Sequence, residues 1–174
     1  MFTSILANVH HQLVINTPKA LSFPSSILPF NIQKKCLLSV LENAFHEAIE
    51  DGDLDFLQGK WLKIEITDLH LKWYVSFADG KLVIEDTCKQ EDVSFSGKVN
   101  ELILIVGRKE DPDTLFFQRR LSIQGDTELG LEVKNLLDNI DFDHLPPLAQ
   151  KALNHFSDFI KKGIVDPNMK ISVA

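Results

Sequence analysis

The spacing of hydrophobic residues switches between helical and strand periods along the chain, and each switch marks a predicted element. Phe2, Ile5, Leu6, Val9 and Leu13 recur at helical spacing, and Pro18, Pro24 and Pro29 then break continuation. A short amphipathic helix and a kinked connector are expected over residues 1–29. Between Ile32 and Glu50, Leu37, Leu41, Ala44, Phe45, Ala48 and Ile49 share one helical face, with Lys35, Glu42, Asn43, His46 and Glu50 opposite. This is the pattern of a core-packing helix that stops near Asp51-Gly52.

Strand alternation takes over at Leu62, Ile64 and Ile66, followed by Leu69, Leu71, Trp73, Val75 and Phe77 against His70, Lys72, Tyr74 and Ser76. One dry and one wet face are expected. Asp79-Gly80 is a hairpin signal, because a tight turn needs positive φ, and it leads into a strand at residues 81–85. Val93, Phe95 and Gly97 alternate with Ser94 and Ser96, so an antiparallel meander is expected. Val99, Leu102, Ile103 and Val106 then return to helical spacing, with Gly107 placed to close the helix. Leu121 and Ile123 mark a fifth strand ending at Gly125, and Asp126 can cap a helix carrying Leu129, Val133, Leu136, Leu137 and Ile140. Gly130 inside that helix costs about 1 kcal/mol relative to Ala, which a close approach by another backbone or a ligand would explain. Leu145, Leu148, Ala149, Ala152, Leu153, Phe156, Phe159 and Ile160 form the most regular stripe of all, closed by Lys161-Lys162-Gly163.

These elements predict an α+β fold: a five-stranded, largely antiparallel sheet covered by helices. The division is a leader at 1–29, a main domain at 30–140, a C-terminal amphipathic helix at 141–163 and a mobile, patternless tail at 164–174. At 174 residues the chain has room for one domain. Periodicity shows which face is apolar, not how deeply it is filled, so a packed core and an elongated cavity between the layers both fit.

Composition narrows the function. With 18 Lys+Arg against 25 Asp+Glu the net charge is −7, and Arg108, Arg119 and Arg120 are the only arginines. Nonspecific nucleic-acid binding, which needs a concentrated cationic surface, is disfavoured. Cys36 and Cys88 form no CxxC pair, so neither a disulfide framework nor a thiolate zinc site is indicated. No basic n-region and apolar h-region opens the chain, and no uncharged apolar run approaches the ~20 residues of a membrane span. A cytoplasmic location is expected. The apolar stripe around Phe2, Ile5 and Leu6 is a candidate for transient contact with the inner membrane surface, though it lacks the basic face of such helices.

Enzyme signatures are near-misses. His46-Glu47-Ala48-Ile49-Glu50 begins like a zincin helix, but Glu50 stands where the second histidine belongs. Asp51, Asp53 and Asp55 imitate a calcium loop, yet Phe56 takes the glycine position and Leu62 that of the bidentate Glu. His10 and His11 have no third donor nearby. GxSxG, the Walker lysine and GxGxxG are all missing, so no catalytic centre, metal or cofactor is expected.

Residues 110–138 are less generic. The segments DPDTLFFQRR (111–120), GDTELGL (125–131) and VKNLLD (133–138), with DGDLDFLQG (51–59) upstream, resemble the sterol-carrier-protein type-two lipid-binding family. Within it they resemble its bacterial ubiquinone-biosynthesis accessory members, over roughly residues 28–140. The resemblance implies a hydrophobic tunnel under the helices and a lipid carried without being transformed. It implies an isoprenoid quinone precursor or a phospholipid as ligand, and peptidase-like hydroxylase partners of the UbiU and UbiV type working without oxygen. Trp73, Phe95, Leu102, Leu115, Phe116, Leu121, Leu129, Val133 and Leu136 are the expected tunnel residues. Arg119 and Arg120 are headgroup candidates, because guanidinium matches phosphate oxygens bidentately; the competing reading is that one faces solvent and the other pairs with an acid such as Glu110 or Asp126. The competing reading is a protein-assembly module with no lipid cargo, docking through the 145–160 helix or the leader.

Overall fold

A computed structural model describes residues 9–16, 28–139 and 147–164. Its centre is one sheet of β1 (Leu62–Ile66), β2 (Leu71–Ala78), β3 (Lys81–Glu85), β4 (Val93–Gly97) and β5 (Leu121–Gly125), in spatial order β3-β2-β1-β4-β5. Register puts one apolar row after another on the same face: Leu82 beside Phe77, Val75 beside Leu62, Trp73 beside Ile64, Ile64 beside Phe95, Phe95 beside Ile123. Because side chains alternate, a one-residue slip would turn every member of that set to the other face. The opposite face carries Lys63, Glu65, Ser94, Ser96, Ser122 and Gln124.

The β2–β3 hairpin turns through Asp79 and Gly80, both at positive φ, as the sequence predicts. The expected meander does not continue beyond it. β4 pairs with β1 in parallel, while the other three pairings are antiparallel. The reason is local: the Asp92 carboxylate accepts the Trp61 N–H at 2.8 Å, and the Asp92 N–H donates to the Trp61 carbonyl at 3.0 Å. These bonds fasten the start of β4 to the start of β1. The outer face of β2 also departs from expectation, since Tyr74 and Ser76 are buried. Ser76 donates its hydroxyl to the carbonyl of Leu57, in the 3-10 turn Asp55–Leu57 that lies against β2.

Among the described residues the helices are α1 (residues 9–16), α2 (Phe30–Ala44), α3 (His46–Asp51), α4 (Val99–Val106), α5 (Pro112–Phe117), α6 (Thr127–Asp138) and α7 (Pro147–Ile164). The single helix expected over 32–50 is interrupted at Phe45, and α3 ends at Gly52 with φ 82°. Leu37 and Leu41 of α2, Leu102 and Ile105 of α4, Leu115 of α5 and Val133 of α6 pack onto the apolar face of the sheet. Asp111 caps α5 by accepting from Thr114 N–H, and Asp126 caps α6 by accepting from Glu128 and Leu129 N–H. At Gly130 the close approach is by a side chain rather than a backbone: a Cβ there would lie 2.9 Å from the Cγ2 of Ile123, so α6 sits directly on β5.

α7 packs on the other side of α4, in a second small cluster of Val14, Leu104 and Ile160. Its contact face differs from the expected stripe. Ser157, Ile160 and Gly163 are buried, while Ala152, Phe156 and Phe159 remain at the surface. Close approach selects that face: a Cβ on Gly107 would lie 2.4 Å from Ser157 Cβ, and one on Gly163 would lie 2.4 Å from Val14 Cγ2. In α1 likewise Val14 is buried, while Val9 and Leu13 face solvent. His10 and His11 bond to the carbonyls of Phe159 and Gly163 and tie α1 to α7. Phe2, Ile5, Leu6, Ile140, Leu145 and the tail from 165 onward lie outside the described residues.

Candidate functional site

Between the sheet's apolar face and helices α2, α4 and α6 lies a cavity of about 270 Å3 lined entirely by apolar side chains. Of the residues expected from sequence to form a tunnel, Trp73, Phe95, Leu102, Val133 and Leu136 are in its wall. Leu115, Leu121 and Leu129 are not: they are buried in the same core, where they fill space beside β4 and β5. Phe116 also stands outside, edge-on to Phe95 with ring centroids 6.3 Å apart, in a groove between β5 and α6.

The wall contributed by α2, at Leu37, Val40, Leu41 and Ala44, was not among the sequence candidates. A helix stripe reads as core whether or not space lies behind it, so periodicity carried no signal for it. Val40 is in the wall and still 46% exposed, so the cavity reaches solvent along α2. Trp73 is the one wall residue with an N–H in its side chain, and its indole donates to Gln33 Oε1 at 3.2 Å. That bond satisfies the polar edge of the ring and leaves its apolar body to the cavity.

The two arginine candidates have different situations. Arg120 is ion-paired to Glu101, which is buried. Its partner is neither Glu110, near Lys161 at 3.7 Å, nor Asp126, which caps α6. Arg119 is exposed and has left-handed backbone, φ 58°.

No group of three or more metal-ligating side chains occurs among the described residues. His46 and Glu50, the zincin-like pair, face each other at 3.6 Å on the surface. In the acidic turn, Asp55 accepts a hydrogen bond from the Gln58 amide. The displaced titrations belong to groups outside the cavity wall. Burial opposes the Lys63 ammonium, but Glu65 and Glu91 outweigh it and hold its pKa above the ordinary value. Burial, reinforced by Glu91, raises the Cys88 thiol. Hydrogen bonds from Lys134 to Asp113 and Asp138 raise Lys134, and one from Lys109 lowers Asp158. A wall with no ionisable group can shelter an apolar molecule and offers no acid, base or nucleophile to act on it.

This architecture can be compared with known proteins. Residues 38–138 match the SCP-2 sterol transfer family. The chain belongs to that family. Within the SCP-2 family it is similar to the ubiquinone biosynthesis accessory factor UbiT of Escherichia coli K12, 44% identical over 160 residues, covering 92% of this chain and 91% of that protein. The counterpart in E. coli O157:H7 matches to the same extent. Among solved structures, an SCP-2 protein described as the UbiJ-SCP2 ubiquinone synthesis protein superposes with a TM-score of 0.50 at 18% identity, over 63% of this chain and 97% of that one. At that identity the likeness concerns the fold. No helix among the described residues is long and apolar enough to cross a membrane.

Proposed function

We propose that this SCP-2 chain is a noncatalytic lipid-binding accessory factor for oxygen-independent ubiquinone biosynthesis. It holds the prenyl tail of a quinone precursor, or the acyl chain of a phospholipid, in the apolar cavity and presents the attached ring to hydroxylating partners of the UbiU and UbiV type. The observation that carries the reading is a wholly apolar cavity in a chain 44% identical to an accessory factor of ubiquinone biosynthesis. The volume, about 270 Å3, falls just below the roughly 300–1,000 Å3 of ordinary small-molecule sites. It therefore shelters part of a long tail. Each methylene sheltered contributes about 0.8 kcal/mol, so several of them offset much of the association cost, which starts at about 4 kcal/mol. The remainder of the tail leaves along α2, past Val40.

The test is genetic and chemical. Deleting the gene in its own host should abolish ubiquinone made without oxygen and spare ubiquinone made with oxygen. Unchanged ubiquinone in oxygen-free cultures contradicts the proposal.

The assembly-module reading draws on a different observation: Val9 and Leu13 of α1 and Phe156 and Phe159 of α7 leave apolar surface exposed. It predicts that a deletion strain is rescued equally well by variants whose cavity has been filled.

A further inference from the structure

A second cleft, of about 280 Å3, lies where β1 and β4 end and β5 begins, lined by Thr67, Ser96, Lys98, Glu101, Arg119 and Arg120 among others. It shares no lining residue with the apolar cavity. Its charges do not balance. The single carboxylate in the lining, Glu101, is matched by Arg120, whose second nitrogen bonds Gln118. Lys98 and Arg119 pair with no carboxylate among the described residues. Asp68, next to Thr67 and outside the lining, accepts the Val99 N–H through one carboxylate oxygen, while its other oxygen is buried with no hydrogen-bond partner among the described residues. Two cations without a paired carboxylate, a part-buried ion pair, and the hydroxyls of Ser96 and Ser122, the latter accepting from the Gln124 amide, thus line one concave site of a chain whose net charge is −7.

We propose that this cleft binds a phosphate group, with Arg119 and Lys98 contacting its oxygens and the Ser96 hydroxyl donating a further bond. The Glu101–Arg120 pair forms the floor and keeps the guanidinium of Arg120 from adding a third free charge. Phosphate suits the set because it accepts several charge-assisted hydrogen bonds at once, and arginine meets it with two parallel N–H groups. The phosphate can be free inorganic phosphate or the headgroup of an anionic lipid. Phe117, two residues before Arg119 and 87% exposed, is an apolar side chain that a lipid surface would use and free phosphate would not.

The experiment titrates the full chain with inorganic phosphate, following backbone amides by NMR, and separately measures its cosedimentation with phosphatidylcholine vesicles with and without phosphatidylglycerol. Saturable shifts confined to residues 96–98 and 119–122, weakened about tenfold or more in Arg119→Gln and in Lys98→Gln, are expected for a free-phosphate site. Binding only to phosphatidylglycerol vesicles, lost in both variants and reduced by Phe117→Ser, assigns the phosphate to a lipid headgroup. Binding of neither probe, or binding indifferent to both cation substitutions, overturns the proposal. Arg119→Lys, which keeps the charge, should retain part of the affinity and controls for folding. A cavity-filling substitution at Val133 should leave the phosphate titration unchanged, so failure of the lipid-carrier reading and failure of the phosphate site are separately visible.

Discussion

The indole N–H of Trp73, on the sheet, donates to the side-chain oxygen of Gln33, on α2, at 3.2 Å. Forty residues separate the two, and the bond spans the cavity's edge. It therefore sets how α2 lies over the apolar face. Trp73→Phe keeps a ring in the wall and removes the donor. A loss of about 1 kcal/mol is expected from the missing bond, with faster amide exchange in α2 than in β1. Urea denaturation gives the first number and hydrogen exchange the second; uniform exchange across both elements would mean that Gln33 does not anchor the helix.

Filling the cavity should separate lipid loading from stability. Val133→Trp projects an indole into the wall and is expected to abolish loading at an overpacking cost of about 1–3 kcal/mol. Leu129→Trp, outside the wall, should cost stability by the same mechanism and leave loading in its folded fraction. Ala44→Phe fills the cavity from α2 and serves if the Val133 variant does not fold. Thermal denaturation and lipid uptake, measured on the same samples, check the contrast.

Gly107 needs its hydrogen because of Ser157, not because of its backbone angles: its φ is −80°, ordinary for any residue. Gly107→Ala should push α7 away from α4 and raise proteolytic cleavage within residues 147–164. The sheet core belongs to a separate cluster and should keep its stability. Adding Ser157→Gly to Gly107→Ala should recover part of the docking, and the double-mutant cycle measures the coupling.

Acid should loosen α7 as well. The Asp158 carboxyl bonds Lys109 at 2.8 Å, and that bond lowers its pKa from the ordinary value. A carboxyl with a depressed folded-state pKa contributes stability that is present above its unfolded pKa and is lost as pH falls through the folded one. α7 protection is therefore expected to be constant at neutral pH and to fall below about pH 4. Asp158→Asn should remove that dependence. Because the Asp158 carboxyl is half-exposed the effect is small, and hydrogen exchange of α7 against pH detects it.

How far the sequence went depends on the element. Alternation in β1, β2, β4 and β5 identifies the apolar face residue by residue, because the pleat forces it, but in β2 it gave no sign that Tyr74 and Ser76 on the other face are buried as well. The parallel β1–β4 pairing was hidden, since it rests on bonds between Asp92 and Trp61 across thirty residues of chain. α7 was misread because large apolar residues dominate a periodic pattern, whereas Gly107, Ser157 and Gly163 decided which face could come close. Trp73 and Val133 were legible as wall residues, and Leu115, Leu121 and Leu129 were not distinguishable from them. All carry the same apolar signature, and only three-dimensional packing separates a filled site from an empty one. Arg119 and Arg120 were legible as a pair, while the division between them required Glu101, placed by α4.

The most direct measurement is of what the chain carries. The protein should be purified gently from its own host grown without oxygen, extracted with organic solvent, and its lipids identified by mass spectrometry against an unrelated protein from the same cells. Enrichment of prenylated quinone precursors, lost in Val133→Trp, is expected if the cavity is a carrier site. An empty protein that also takes up no added prenylated lipid or phospholipid would contradict it.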